Sequence, residues 1–218
     1  MGEMKTERGY KELVINNSLL ERIARHLIMH GSFVTDLGLY HGKMGIVLFF
    51  AHYAHYSGNS LYDTFAGELL DEIYEDIYKG LPVNFESGFC GIGWGIAYLL
   101  QNGFIDGDTD EILSDLDTRI MEFDLRRIND RSIRTGLEGI SYYINKRINS
   151  PYLKSKRLPF DIDYLNEWRS IASSIFIPED KVILDAIMSK LPERNDIISW
   201  DFGLDNGCAG VGLKNIYL

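Results

Sequence analysis

Two kinds of helical pattern alternate along this chain. In the first, apolar residues recur on one side only. Leu19, Leu20, Ile23, Ala24, Leu27 and Ile28 form such a stripe, with Glu21, Arg22 and Arg25 opposite it. Leu69, Leu70, Ile73, Tyr74 and Ile77 form a second, within a segment Leu61 to Tyr78 whose other side carries Glu68, Asp71, Glu72, Glu75 and Asp76. Ile112, Leu116, Ile120 and Phe123 form a third, over Glu111 to Phe123. Helical spacing of this kind buries one face and leaves the other in water. The second kind is apolar on nearly every side, as in Ile46-Val-Leu-Phe-Phe-Ala51, Ile96-Ala-Tyr-Leu-Leu100 and Ile140-Ser-Tyr-Tyr-Ile144. Such segments belong in an interior. Strand signals are scarce; Pro82-Val-Asn-Phe85 is the nearest, and it reads as a loop. The expectation is an all-α protein with an inner layer of apolar helices covered by an outer layer of amphipathic ones.

A glycine motif marks each passage from outer to inner helix. Four segments align without gaps: Gly38-Leu-Tyr-His-Gly-Lys-Met-Gly-Ile46, Gly88-Phe-Cys-Gly-Ile-Gly-Trp-Gly-Ile96, Ser132-Ile-Arg-Thr-Gly-Leu-Glu-Gly-Ile140 and Gly203-Leu-Asp-Asn-Gly-Cys-Ala-Gly-Val211. In this alignment the second position is apolar, the eighth is glycine and the ninth is Ile or Val. The last interval, from 132 to 203, is the longest, and the segment Ser174 to Leu191 supplies one extra helix to fill it. Glycine allows tight connections and close approach of neighbouring helix starts. It also leaves helix N-terminal N–H groups gathered at one end, where an anion or polar ligand is favoured. Close packing alone explains the glycines equally well.

Composition narrows the function. Of 218 residues 21 are glycine, about 10% against a typical ~7%, while only 5 are proline, so neither a collagen-like nor a linker composition fits. Lys plus Arg is 22 and Asp plus Glu is 32, giving a formal charge of −10. That balance argues against a nucleic-acid surface, which needs clustered cations. It also argues against an anionic membrane surface. The most apolar run is too short to span a bilayer, and the polar start, Met1 to Lys11, lacks the apolar stretch of a signal peptide. A cytoplasmic location is the expectation. Cys90 and Cys208 make no disulfide framework, and one pairing stays open at this point.

The repeated Gly-x-x-His-Gly-x-x-Gly-Ile ahead of an apolar helix resembles the lanthionine synthetase C-like family. The resemblance covers about four repeats, residues 17–218, after an N-terminal extension of residues 1–16. It implies an α/α toroid, helices inside helices, usually of about seven layers; four repeats imply a partial or shortened toroid. Either an open arc is covered by other helices or a partner, or the natural chain continues past Leu218. Cyclases of the family hold zinc through a Cys of one repeat and a Cys-His pair of the next. The zinc lowers the pKa of a peptide thiol, which adds to a dehydrated Ser or Thr. A further His, in a Gly-x-Ala-His-Gly segment, handles protons. Carried over by motif position, His41 falls on that His and is the candidate catalytic residue. Cys90 falls on the first column of the Cys-His pair, but Gly91 follows it. Arg134 and Thr135 fill the two columns in the third repeat, and Asp205 and Asn206 in the fourth, with Cys208 out of register. The zinc triad is not reproduced, so no cofactor and no metal ligand is expected, zinc remaining the one metal to test. Cys90, Arg134, Asp205 and Asn206 are the candidate binding residues.

Other signals have plainer explanations. His26 and His30 stand four apart on the first amphipathic helix without a third ligand, and His52 and His55 lie past the motif, toward the opposite end of an inner helix. Asp106-Gly-Asp-Thr-Asp-Glu111 reads as a helix cap rather than a calcium loop. Glu86, Glu138, Asp201 and Asp205 are acids expected near the glycine-rich end, and Phe89, Trp94 and Trp200 are aromatics expected in packing. Three readings follow. The first is a protein of this family that binds a peptide or assists its modification without zinc-dependent cyclase chemistry. The second is an active enzyme, either a cyclase completed by a partner or a carboxylate-dependent toroid hydrolase. The third is a structural interaction module. A peptide or protein partner is expected, as is a possible homo-oligomer through the open toroid edge.

Overall fold

In the computed structural model, residues 18–77, 80–151, 158–190, 192 and 196–217 are described. The N-terminal extension, Tyr78 and Leu191 therefore lie outside the described residues. Nine α-helices account for most of the rest. They are α1 (18–30), α2 (Lys43–Ser57), α3 (Ser60–Asp76), α4 (Phe89–Gln101), α5 (Thr109–Met121), α6 (Leu137–Ile148), α7 (Ile162–Ile171), α8 (Asp180–Ile187) and α9 (Cys208–Tyr217). No strand forms among the described residues; a single isolated bridge joins Asp201 and Gly207. The all-α expectation holds.

Helices α2, α4, α6 and α9 follow the four glycine motifs and make the inner layer. Every residue of α4 from Phe89 to Leu100 is buried, as is α2 from Lys43 to Ala51. Outer helices bury one stripe each: Leu20, Ile23, Ala24 and Leu27 of α1, Ala66, Leu69 and Ile73 of α3, Leu113, Leu116 and Ile120 of α5. Two positions assigned to inward stripes face water instead, Ile28 at 43% and Tyr74 at 48% exposure. Each sits at the margin of a stripe that its neighbours already fill. The long third interval holds two short helices, α7 and α8, of which α8 lies where one was expected. Asp108 caps α5, its carboxylate accepting the Asp110 N–H at 2.9 Å, so the acidic run is a cap and not an ion loop.

The inner helices are not arranged in simple chain order. α4 packs on α6 and on α2, and α2 packs on α9, so the succession is α6, α4, α2, α9. The last repeat thus lies against the first. Ring contacts bind the layer from within: Phe49 stacks on Tyr53, and Phe85 meets both Trp94 and Tyr142 edge-on. No helix among the described residues is long and apolar enough to cross a membrane.

Candidate functional site

The site is built by the four loops that precede the inner helices. Each loop carries the same backbone bond: the first helical N–H donates to a carbonyl seven residues earlier. The pairs are Lys43 to Asp36 at 2.8 Å, Phe89 to Pro82 at 2.9 Å, Leu137 to Asp130 at 2.9 Å and Cys208 to Asp201 at 2.7 Å. Glycine caps all four starts, at Gly42, Gly88, Gly136 and Gly207. A second glycine, three residues on, lies over a loop carbonyl: Gly45 over Leu39, Gly91 over Phe85, Gly139 over Ile133 and Gly210 over Leu204. A Cβ there would overlap the carbonyl oxygen, so these positions need glycine for space.

This repeated geometry corrects the register of the second motif. The equivalent of Gly38–Ile46 is Asn84–Ile92, four residues earlier than the alignment on Gly88. Gly-Ile occurs at both 91–92 and 95–96, one helical turn apart, and only the loop geometry tells them apart. The third motif position is therefore Tyr40, Glu86, Arg134 and Asp205, and Glu86 takes the column assigned to Cys90. Cys90 lies inside α4, fully buried.

The third-position residues are drawn together by the backbone. Leu39 and Tyr40 N–H donate to the Glu86 carbonyl at 3.0 and 3.1 Å, and Phe85 and Glu86 N–H donate to the Arg134 carbonyl at 3.0 and 2.9 Å. Asp205 N–H donates to the Tyr40 carbonyl at 3.0 Å. The loops thus run in the order four, one, two, three. Between three and four, side chains make the link: the Arg134 guanidinium donates to Glu86 Oε1 at 2.6 Å and forms a short ion pair with Asp205 Oδ2. The same guanidinium lies over the Tyr40 ring, 4.6 Å from its centre. His41 Nε2 faces both acids, 3.2 Å from Glu86 Oε1 and 3.8 Å from Asp205 Oδ2.

Electrostatics follow from this packing. Burial works against the charge of Arg134, yet hydrogen bonds to Asp205 and Glu86 outweigh it and raise its pKa. Burial raises Tyr40 as well, so its phenol stays protonated. Asp205 is 4% exposed and its Oδ1 is buried without a hydrogen-bond partner among the described residues. His41 and Arg134 are the accessible members, with side chains 38% and 34% exposed. Asn206 does not join them. It adopts a left-handed φ of 55°, is exposed, and its N–H donates to the Lys190 carbonyl at 3.3 Å. Of the other acids, Glu138 accepts from the Tyr142 hydroxyl at 2.5 Å and Asp201 is exposed.

Zinc does not fit these residues. Both cysteines are free thiols and buried. Burial, and then Asp117, raises the Cys90 thiol well above its ordinary value, and burial pushes Cys208 up to about 12. The Arg134 cation already stands between the two carboxylates. Among the described residues no group of three His, Cys, Asp or Glu is arranged to hold a metal.

An all-α protein with glycine-started inner helices, outer helices around them, and a polar cluster at the glycine end belongs to the class of α/α toroids. The family model described as lanthionine synthetase C-like protein matches residues 34–200, and the chain belongs to that family. No curated protein and no solved structure matches it.

Proposed function

We propose that this chain is a lanthionine synthetase C-like protein that binds a peptide at its glycine-motif end, or assists the peptide's modification, without zinc-dependent thiolate chemistry. The observation that carries this reading is Arg134, whose guanidinium pairs with both Glu86 and Asp205 from the third position of the third motif. A fixed cation there neutralises the acids that a metal would otherwise balance. It also presents N–H donors, beside the His41 ring, to a peptide carbonyl or carboxylate. Carboxylate hydrolysis is disfavoured on the same ground, since one arginine engages both acids.

The test is elemental analysis of the purified chain together with incubation with a dehydrated, Cys-containing peptide. Substoichiometric zinc, no thioether product, and peptide binding that weakens about tenfold in Arg134→Ala are expected. Stoichiometric zinc that disappears in Cys90→Ser or Cys208→Ser would overturn the reading. Thioether formation that stops in His41→Ala would establish the enzyme instead.

A further inference from the structure

Outer helices of this fold cover the inner layer and should present polar residues to water. α5 does so, with Glu111 and Asp115 exposed, and α3 sets exposed Glu68, Asp71 and Glu75 beside Leu61 and Tyr74. α1 differs in charge. Its outward side shows Met29 at 67% and Ile28 at 43% exposure, and carries Arg22 and Arg25 against a single acid, Glu21. Across from it, the 3₁₀ turn Ile197–Ser199 holds Ile198 at 80% exposure. A shallow, mainly apolar cleft of about 400 Å³ lies between them, lined by Arg22, Arg25, Met29, Ile197 and Ile198 with the His26 and His30 rings.

The charge of this face is unusual for the molecule. A chain of net charge −10 places two guanidinium groups beside an apolar cleft. Arg25 reaches Glu21 only at 3.9 Å, with both side chains more than half exposed, a pairing that contributes little. The nearby Asp196 carboxylate is turned to the Ile198 N–H at 3.2 Å. Burial and the neighbouring His30 lower the pKa of His26, against an opposing pull from Asp196, so the ring is neutral near pH 7. Arg22 and Arg25 are the exposed donors at the cleft, with Glu21 and Asp196 the acids beside them. Guanidinium groups rimming exposed aliphatic side chains are the composition of an interface centre, where Arg is enriched and apolar anchors supply the affinity.

We propose that this face docks a peptide segment of a partner protein that carries acidic residues beside large apolar ones. The apolar side chains enter the cleft against Met29, Ile197 and Ile198, and the carboxylates meet Arg22 and Arg25 at its rim. α1 precedes the family-matched region, so the face is furnished in part by this chain's own flank. None of its lining residues belongs to the His41–Glu86–Arg134–Asp205 cluster, and the proposal stands apart from the reading of that cluster.

The experiment is fluorescence anisotropy on the full chain with two labelled probe peptides, one mixing Glu with Leu and Phe, the other identical but with Lys for Glu. The acidic probe is expected to bind at least about tenfold more tightly than the basic one. Arg22→Glu with Arg25→Glu should reverse that order, and Ile198→Asp should weaken the acidic probe by a similar factor. Arg169→Ala, an exposed arginine of α7, should leave it within about twofold. Circular dichroism on each variant confirms folding, since all three cleft positions are surface residues. Equal binding of the two probes, or no change on charge reversal, overturns the proposal. So does an equal loss from His41→Ala, which would put the probe at the motif end. Self-association abolished by Ile198→Asp, with no probe binding, would assign the face to a second copy. Phosphatidylserine vesicle binding lost with the two arginines, again without probe binding, would assign it to a membrane.

Discussion

Two clusters at opposite ends of the inner helix layer solve the problem of buried polar groups in opposite ways. At the motif end, four loops of one geometry converge and charges are kept: Arg134 balances Glu86 and Asp205. At the other end, α2, α4 and α9 meet through His52, Tyr98 and Tyr217. His52 Nε2 lies 2.9 Å from each tyrosine oxygen, and the two hydroxyls lie 3.0 Å apart. Phe104 covers the imidazole edge-on at 4.4 Å. Burial, and then His55, lowers the His52 pKa to about 4, so this cluster is neutral, while beside it α6 keeps a buried ion pair between Arg147 and Asp117 at 2.6 Å. A repeat imposes its backbone on one end of every inner helix and leaves the other end to individual packing.

The largest expected effect comes from breaking the repeated backbone. Gly210→Ala would drive a Cβ into the Leu204 carbonyl, and denaturant unfolding should show a loss of about 3 kcal/mol or more. A loss below ~1 kcal/mol would show that the loop yields and that space is not what the motif protects. Next is the neutral cluster around His52. His52 binds its proton more weakly folded than unfolded, so its contribution is whole above pH 6.5 and is lost as pH falls toward 4. Up to about 3 kcal/mol is at stake across that window. Chemical denaturation at a series of pH values should show His52→Phe with a flatter profile than the parent between those limits; parallel profiles would remove His52 from the account.

Arg134→Ala leaves two acids, one of them buried, without their cation. Because the guanidinium is about one-third exposed, the expected cost is about 2 kcal/mol rather than the full penalty of a buried pair. Arg134→Lys should recover only part of it, since one ammonium cannot reproduce the two-acid fork. Unfolding curves of the two variants that coincide would contradict this. The smallest effect lies in the outer layer, where Gly67 of α3 has open space at its Cβ position. Gly67→Ala should raise stability by about 0.5–1 kcal/mol, read as a small increase in melting temperature. A loss there would erase the contrast between the glycines of the two layers.

Much of the fold was legible because burial has a period. The stripes of α1, α3 and α5, the all-round apolar α2 and α4, and the glycines between them define the layers without any long-range information. The site was legible only in part. His41, Arg134 and Asp205 follow from motif position and do converge, whereas Asn206, one position beyond Asp205, turns to solvent with its left-handed backbone. Cys90 was misplaced because α4 offers Gly-Ile twice, one turn apart, and a fully buried helix looks the same after such a shift. The signal that separates the two registers is local: Phe85 supplies the apolar second position, and Pro82 the carbonyl that receives the first helical N–H. Glu86 was visible as an acid near the motif, but its partner lies 48 residues away. The succession of loops could not be read from the chain either, because nothing local says that the fourth repeat returns to the first.

That return has a consequence for how the molecule comes into being. The bond from Asp205 N–H to the Tyr40 carbonyl joins segments at opposite ends of the described chain. During synthesis, which proceeds at roughly 5–20 residues per second, loop one emerges early and waits for loop four for roughly ten to thirty seconds. Throughout that wait the flank of α2 that α9 will cover, Phe49 included, is exposed apolar surface. Contacts of such long sequence separation slow folding because the loop they close must be ordered first. The interval is also when an apolar helix flank is prone to association. The nascent chain is therefore most exposed to aggregation, and to chaperone capture, just before the fourth motif leaves the ribosome.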